Sequence, residues 1–95
     1  MQDISCVYVE NQTTYILRKD GIRSITNLTL SDIYNCLDKS FFFKVNRQII
    51  ISISSIKKIL KIDESKLKIE ITPILEMDIL IGKNKVAQFK KWLDI

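Results

Sequence analysis

A mainly β domain with two short helices is the fold class this sequence predicts, and three observations lead there. β-branched residues dominate: 18 Ile, 4 Val and 5 Thr stand against one Ala, two Gly and one Pro, a bias that suits a pleated, half-buried surface better than a helix. Apolar stretches are short and are separated by polar or turn-forming residues, with no alternation of strand and long helix that would build a parallel sheet. The chain has 95 residues, enough for one hydrophobic core and too few for two.

Taken in order, Ser5 to Val9, Thr14 to Arg18 and Ile22 to Thr26 read as three strands. Glu10-Asn11-Gln12-Thr13 is a polar loop between the first two, and Asp20-Gly21 supplies the turn between the second and third. Thr29 followed by Asp32 is a capping signature, and Leu30, Ile33, Tyr34 and Leu37 fall on one helical face, which predicts a helix ending near Asp38. Phe41 to Val45 and Ile49 to Ile53 are further strands around the polar triplet Asn46-Arg47-Gln48. Ile59 to Ile62 and Lys66 to Ile71 flank Asp63-Glu64-Ser65 as a second hairpin, and the alternation in its second arm predicts one buried face and one wet face. Pro73 interrupts the pattern, Met77 to Ile81 gives a last strand, and Val86, Phe89 and Trp92 or Leu93 set a closing basic amphipathic helix after Gly82. Phe41, Phe42, Phe43, Tyr8, Tyr15, Phe89 and Trp92 are expected in the core.

Composition removes several chemistries. With no His, His-based triads, general bases and imidazole metal sites are absent. Cys6 and Cys36 stand too far apart in sequence, and without further ligands, to form a zinc motif; each sits in an apolar pattern and is expected as a buried, reduced thiol. Gly21 and Gly82 are the only glycines, so no phosphate-cradling loop exists. No apolar run approaches a membrane span, and the N-terminus lacks a signal-peptide pattern, from which a cytoplasmic chain is expected. No close pair of reactive groups marks a catalytic site, so the chain is read as a non-enzyme that needs no cofactor.

Net charge is +4, and it is distributed in blocks. Residues 1–38 carry −2. Residues 39–61 carry +6 from Lys39, Lys44, Arg47, Lys57, Lys58 and Lys61 with no acid, residues 62–78 return to −3, and residues 79–95 carry +3. Two basic blocks around an acidic hairpin could converge on one face, the electrostatic footprint of a nucleic-acid binder; a solvated basic surface is the plainer alternative.

The stretch from Phe41 through Asn46-Arg47-Gln48 and Ile49-Ile50-Ile51 to Ile56 and Ile59 resembles the central signature of the LytTR family of bacterial DNA-binding domains. Tyr8-Val9-Glu10-Asn11, Leu28-Thr29-Leu30 and Met77 to Asn84 fall where that family has its opening strand, first helix and closing element, so the resemblance covers the whole chain. It departs at Asn46, where many members carry His, at Gly82 for Ser, and at Lys83 for Arg. The resemblance implies an elongated stack of small antiparallel sheets that binds double-stranded DNA through loops. It further implies residues 1–95 as one such domain, the excised output domain of a response regulator in a two-component system, joined to a receiver domain and binding promoter direct repeats as a dimer.

By position, three elements would face DNA: Asn11, Gln12, Thr13 and Thr14; Lys44 with Asn46, Arg47 and Gln48; and Lys83, Asn84 and Lys85. Arg47 has a fork suited to guanine, Gln12, Asn46 and Gln48 suit adenine, and Thr13 or Thr14 suits a phosphate or a thymine methyl. Lys83 keeps the charge of Arg without the fork, which favours a phosphate contact. Plainer uses stand beside these: Arg47 as an ion-pair partner, Asn46 as a cap for its own turn, and Lys57, Lys58, Lys90 and Lys91 as solvated charges. The rival functions are a β-rich protein-interaction module with an acidic partner and a single-strand nucleic-acid binder of the OB type.

Overall fold

The apolar runs that defeat simple in-out alternation turn out to be strands covered on both faces. In the computed structural model, which describes residues 3–93, a five-stranded antiparallel sheet has the order β3 (Arg23–Thr26), β2 (Thr13–Arg18), β1 (Ile4–Glu10), β5 (Ile49–Ser52), β4 (Phe42–Asn46). Side chains of β1 and β5 alternate between two cores. Cys6, Tyr8, Ile49 and Ile51 enter the larger core, while Val7 and Ile50 enter the smaller one under helix α1 (Leu30–Cys36). A central strand buried on both sides has no solvent face to mark with polar residues, hence Cys6 to Val9 and Ile49 to Ile51.

Beyond a one-turn 3-10 segment (Ile53–Ser55), β6 (Ile56–Asp63), β7 (Lys66–Ile71) and β8 (Ile79–Ile81) form a second antiparallel sheet, in the order β6-β7-β8. Helix α2 (Lys83–Leu93) closes the chain. The larger core lies between the two sheets and α2: Phe43 and Val45 of β4, Ile69 and Ile71 of β7, Ile79 and Ile81 of β8, and Phe89 of α2 all enter it. The result is a mainly β stack measuring 36 × 24 × 24 Å, longer than wide as expected.

Buried hydroxyls join the sheets. Ser5 Oγ donates to the Thr72 carbonyl at 3.2 Å, Ser55 Oγ donates to the Ser5 carbonyl at 3.0 Å, and the Thr72 N–H donates to the Ser55 carbonyl at 2.9 Å. In low dielectric each satisfied pair avoids a desolvation cost of about 1–3 kcal/mol, and the set holds one sheet to the other.

Several expectations change. Helix α1 has the predicted capping box, with Thr29 and Asp32 bonding each other's backbone N–H, but it ends at Cys36 because Leu37 turns extended and is buried. β6 begins at Ile56 rather than Ile59, and β8 covers only the last three residues of its predicted span. Phe41 is 57% exposed. Pairing starts at Phe42, and Phe42 and Phe43 already occupy the two opposite faces, so a third consecutive aromatic finds no core position. Cys36 is exposed because it lies off the Leu30–Ile33–Leu37 stripe, whereas Cys6 is buried. Burial pushes the Cys6 thiol up to about 12. Alkylation of the native protein at pH 8 should therefore label Cys36 alone, and Cys6 should react only with denaturant; mass spectrometry counts the adducts, and rapid double labelling would contradict this burial.

Candidate nucleic-acid interface

Each of the three predicted elements is placed by a local cause. Asn11 and Gln12 are the two central residues of the β1–β2 hairpin, whose flanking pair is Glu10 and Thr13. Both have positive φ, 52° and 64°, the signature of the turn that matches strand twist. Asn tolerates this conformation and Gln does so at a cost. Gln12→Gly should thus raise stability by up to about 1 kcal/mol, read as a higher urea midpoint; a lower midpoint would mean the Gln12 side chain makes a stabilising contact.

Arg47 and Gln48 tip the β4–β5 hairpin. Asn46 Oδ1 accepts from the Gln48 N–H at 2.7 Å, so this side chain caps its own turn and leaves its amide NH2 as the group free to bind elsewhere. Because β1 pairs with β5, the Val9 N–H donates to the Gln48 carbonyl at 2.8 Å, and the tips of the two hairpins share one end of the large sheet.

The third element meets the second directly. Lys44, Val45, Asn46, Arg47, Lys66, Leu80, Gly82, Lys83, Asn84 and Lys85 line a groove of about 690 Å³. Five of these residues are cationic and none is acidic; with the Lys44 ammonium held on the α1 side, Arg47, Lys66, Lys83 and Lys85 supply the single sign of charge that acts on a polyanion there. Asn46, Arg47, Lys83 and Asn84 are exposed. Lys85 is half-buried, with Nζ donating to the Lys44 carbonyl at 3.2 Å and lying 5.9 Å from the Phe43 ring. It fastens α2 to β4 as well as adding charge. The Lys44 ammonium donates to Ser31 Oγ of α1 at 3.1 Å, which turns it away from Arg47's hairpin tip.

Asn11, Gln12 and Gln48 are exposed at the same sheet end, outside the groove lining. Thr13 is half-buried, and Thr14 is 8% exposed within β2. The expected four-residue loop at residues 10–13 is in fact a two-residue turn, because β1 and β2 keep pairing up to Glu10 and Thr13, and Thr14, expected as the first residue of the second strand, is the second residue of β2 and mostly covered. Lys66 is the residue that sequence reasoning missed. It belongs to the net-negative block, and only the pairing of β7 with β8 brings it beside Lys83.

The LytTR family model, described as the LytTr DNA-binding domain, matches residues 1–94. This chain is a member of the LytTR family. Its fold is that of a solved relative, the LytTr DNA-binding domain of a methyl-accepting/DNA response regulator from Bacillus cereus, with a TM-score of 0.83 and 16% identity over 98% of this chain and 83% of that one. A curated relative, the heme-containing CO-sensing transcriptional regulator RcoM 1 of Paraburkholderia xenovorans, is 29% identical over 83 residues, which are 87% of this chain and 30% of that regulator. The chain therefore spans about a third of that regulator's length. As a LytTR domain it is a DNA-binding module of the kind found in transcriptional regulators. No helix among the described residues is long and apolar enough to cross a membrane.

Proposed function

We propose that this LytTR domain binds double-stranded DNA sequence-specifically, as the output domain of a bacterial transcriptional regulator, and reads grooves through its hairpin tips and the start of α2. The groove carries this reading: Arg47, Lys66, Lys83 and Lys85 without an acid, bordered by two of the three elements predicted to face DNA. Arg47, exposed at a hairpin tip, is the guanine reader; Gln12 and Gln48 are candidates for adenine, while Asn46, its Oδ1 held in the turn, offers only its amide NH2 to a base or phosphate acceptor; Lys83 and Asn84 hold phosphate at the start of α2. The domain catalyses nothing, works in the cytoplasm, and in its full-length protein sits behind a receiver domain and occupies direct repeats as a dimer. The transcriptional role of the P. xenovorans relative and the response-regulator description of the B. cereus protein support this setting; haem and CO sensing stay with the former.

The OB-type alternative needs exposed aromatics as a stacking platform. Among the described residues Phe41 is the single exposed aromatic and lies outside the basic groove, whereas Phe43 and Phe89 are buried and Trp92 packs tilted against both while its indole N–H donates to the Lys39 carbonyl at 3.0 Å. Mobility shifts with genomic duplex fragments, matched single strands and a salt series test the proposal. Expected are a duplex preference, a strong site preference and a steep salt slope. No shift at low salt, or stronger binding of single strands, would overturn it, the former leaving a protein-interaction module in its place.

A further inference from the structure

We infer that the β6–β7 hairpin is an additional DNA-contacting element, in which the Lys66 ammonium binds a backbone phosphate from the second sheet's side of the groove; this rests on the duplex-binding reading above.

The tip and second arm of the hairpin belong to the net-negative block, whereas its first arm carries Lys57, Lys58 and Lys61. The structure divides that charge residue by residue. Lys68 is spent on Asp78, 3.6 Å away. Asp63 is the acid nearest Lys66 in the strand register, with which it is directly paired. Its carboxylate is bonded chiefly within the hairpin, where Oδ1 accepts from the Ser65 N–H at 2.7 Å and from Ser65 Oγ at 3.1 Å; these bonds, with a smaller contribution from the nearby Lys66 charge, hold it below the usual carboxylate range. Among the described residues no carboxylate forms an ion pair with Lys66. Lys66 is exposed, and of the cations of the second sheet it alone lines the groove shared with Arg47 and Lys83.

An exposed ammonium without an ion-pair partner, in a groove whose lining holds no acid, is available to the phosphate of a duplex lying along that groove, the anion that Arg47, Lys83 and Lys85 also attract. The position also differs in kind from the hairpin tips. Lys66 is the first residue of β7, held by pairing to β6 across the hairpin, so its Cα is fixed by a sheet and little backbone entropy is lost on contact. A lysine reads charge and not base identity. The contact therefore adds affinity and sets how the duplex lies against the second sheet, with no effect on which sequence is chosen.

The experiment is fluorescence anisotropy of the 95-residue domain with a duplex obtained by in vitro selection and a scrambled duplex, each over a salt series, for wild type, Lys66→Ala, Lys66→Gln and Lys68→Ala. For both Lys66 variants the slope of log K against log salt should become shallower by about 0.9, the value of one phosphate. The loss should be equal on both duplexes, so that the selected-to-scrambled ratio is unchanged. Lys68→Ala, which removes a cation already paired and outside the groove, should keep the wild-type slope. Wild-type slopes in both Lys66 variants, or a change in sequence preference, would overturn the assignment while leaving duplex binding intact. Failure of the wild type to bind at low salt would instead overturn the duplex reading and this contact with it.

Discussion

Arg47→Ala should weaken binding to a selected duplex by about 1 to 3 kcal/mol and flatten discrimination at one base position, leaving the affinity for scrambled DNA much less affected. The expectation follows from position and chemistry together. Arg47 stands exposed at the β4–β5 tip, and no carboxylate among the described residues ion-pairs with it, so its fork is not committed within the domain. Its neighbours Asn46 and Gln48 are tied into the turn by the 2.7 Å bond between them, which presents the guanidinium on a short, braced support. Lys90→Ala is the counterpart. Lys90 is exposed near the C-terminal end of α2, beyond the groove, and its loss should weaken all sequences alike and slightly. Selection of bound sequences with each variant measures both; equal losses for Arg47→Ala on selected and scrambled duplex would show that it reads no base.

Phe89→Ala should cost about 3–5 kcal/mol of folding stability, a large fraction of the ~5–15 kcal/mol available to a small domain. Phe89 is fully buried. Its ring meets Phe43 edge-on at 5.4 Å and Trp92 at 5.9 Å, so truncation leaves a cavity that two other rings border and that the surrounding strands cannot readily close. Urea unfolding gives the value, with an unchanged denaturant slope expected if only stability is altered. A loss below about 1 kcal/mol would mean that α2 is not seated by this side chain. Function is coupled to the same contact, because α2 delivers Lys83 and Asn84 to one wall of the groove while Phe43 lies in the strand that leads to Arg47.

The sequence carried the hairpins and the helix start clearly, since turn chemistry and caps act over two to four residues. Asp20-Gly21, with Gly21 at φ 91°, and the Thr29–Asp32 box were legible for that reason. The length of the loop at residues 10–13 and the burial of Phe41 were misjudged for a complementary reason. A period-two pattern shows that neighbours face opposite ways, but not where the partner strand begins or stops, and one extra pair or one missing pair changes whether a residue is covered. Cys36 shows the same limit on a helix, where one position off the apolar stripe is enough for exposure.

By itself, the sequence determined a mainly β domain without His chemistry, two basic blocks, and the family signature around Asn46-Arg47-Gln48. The tertiary structure alone decided that β1 pairs with β5, which sets the Asn11-Gln12 and Arg47-Gln48 tips side by side. It also decided that β7 pairs with β8 so as to bring Lys66 beside Lys83, and that the second sheet packs so as to bring both to the groove beside Arg47, while Asp63 bonds Ser65 and forms no ion pair with that lysine. Propensity and turn chemistry are local energies written in adjacent residues. Pairing between distant strands and the docking of one sheet on another depend on the sum of many side-chain contacts across the core, and no short window of sequence contains that sum.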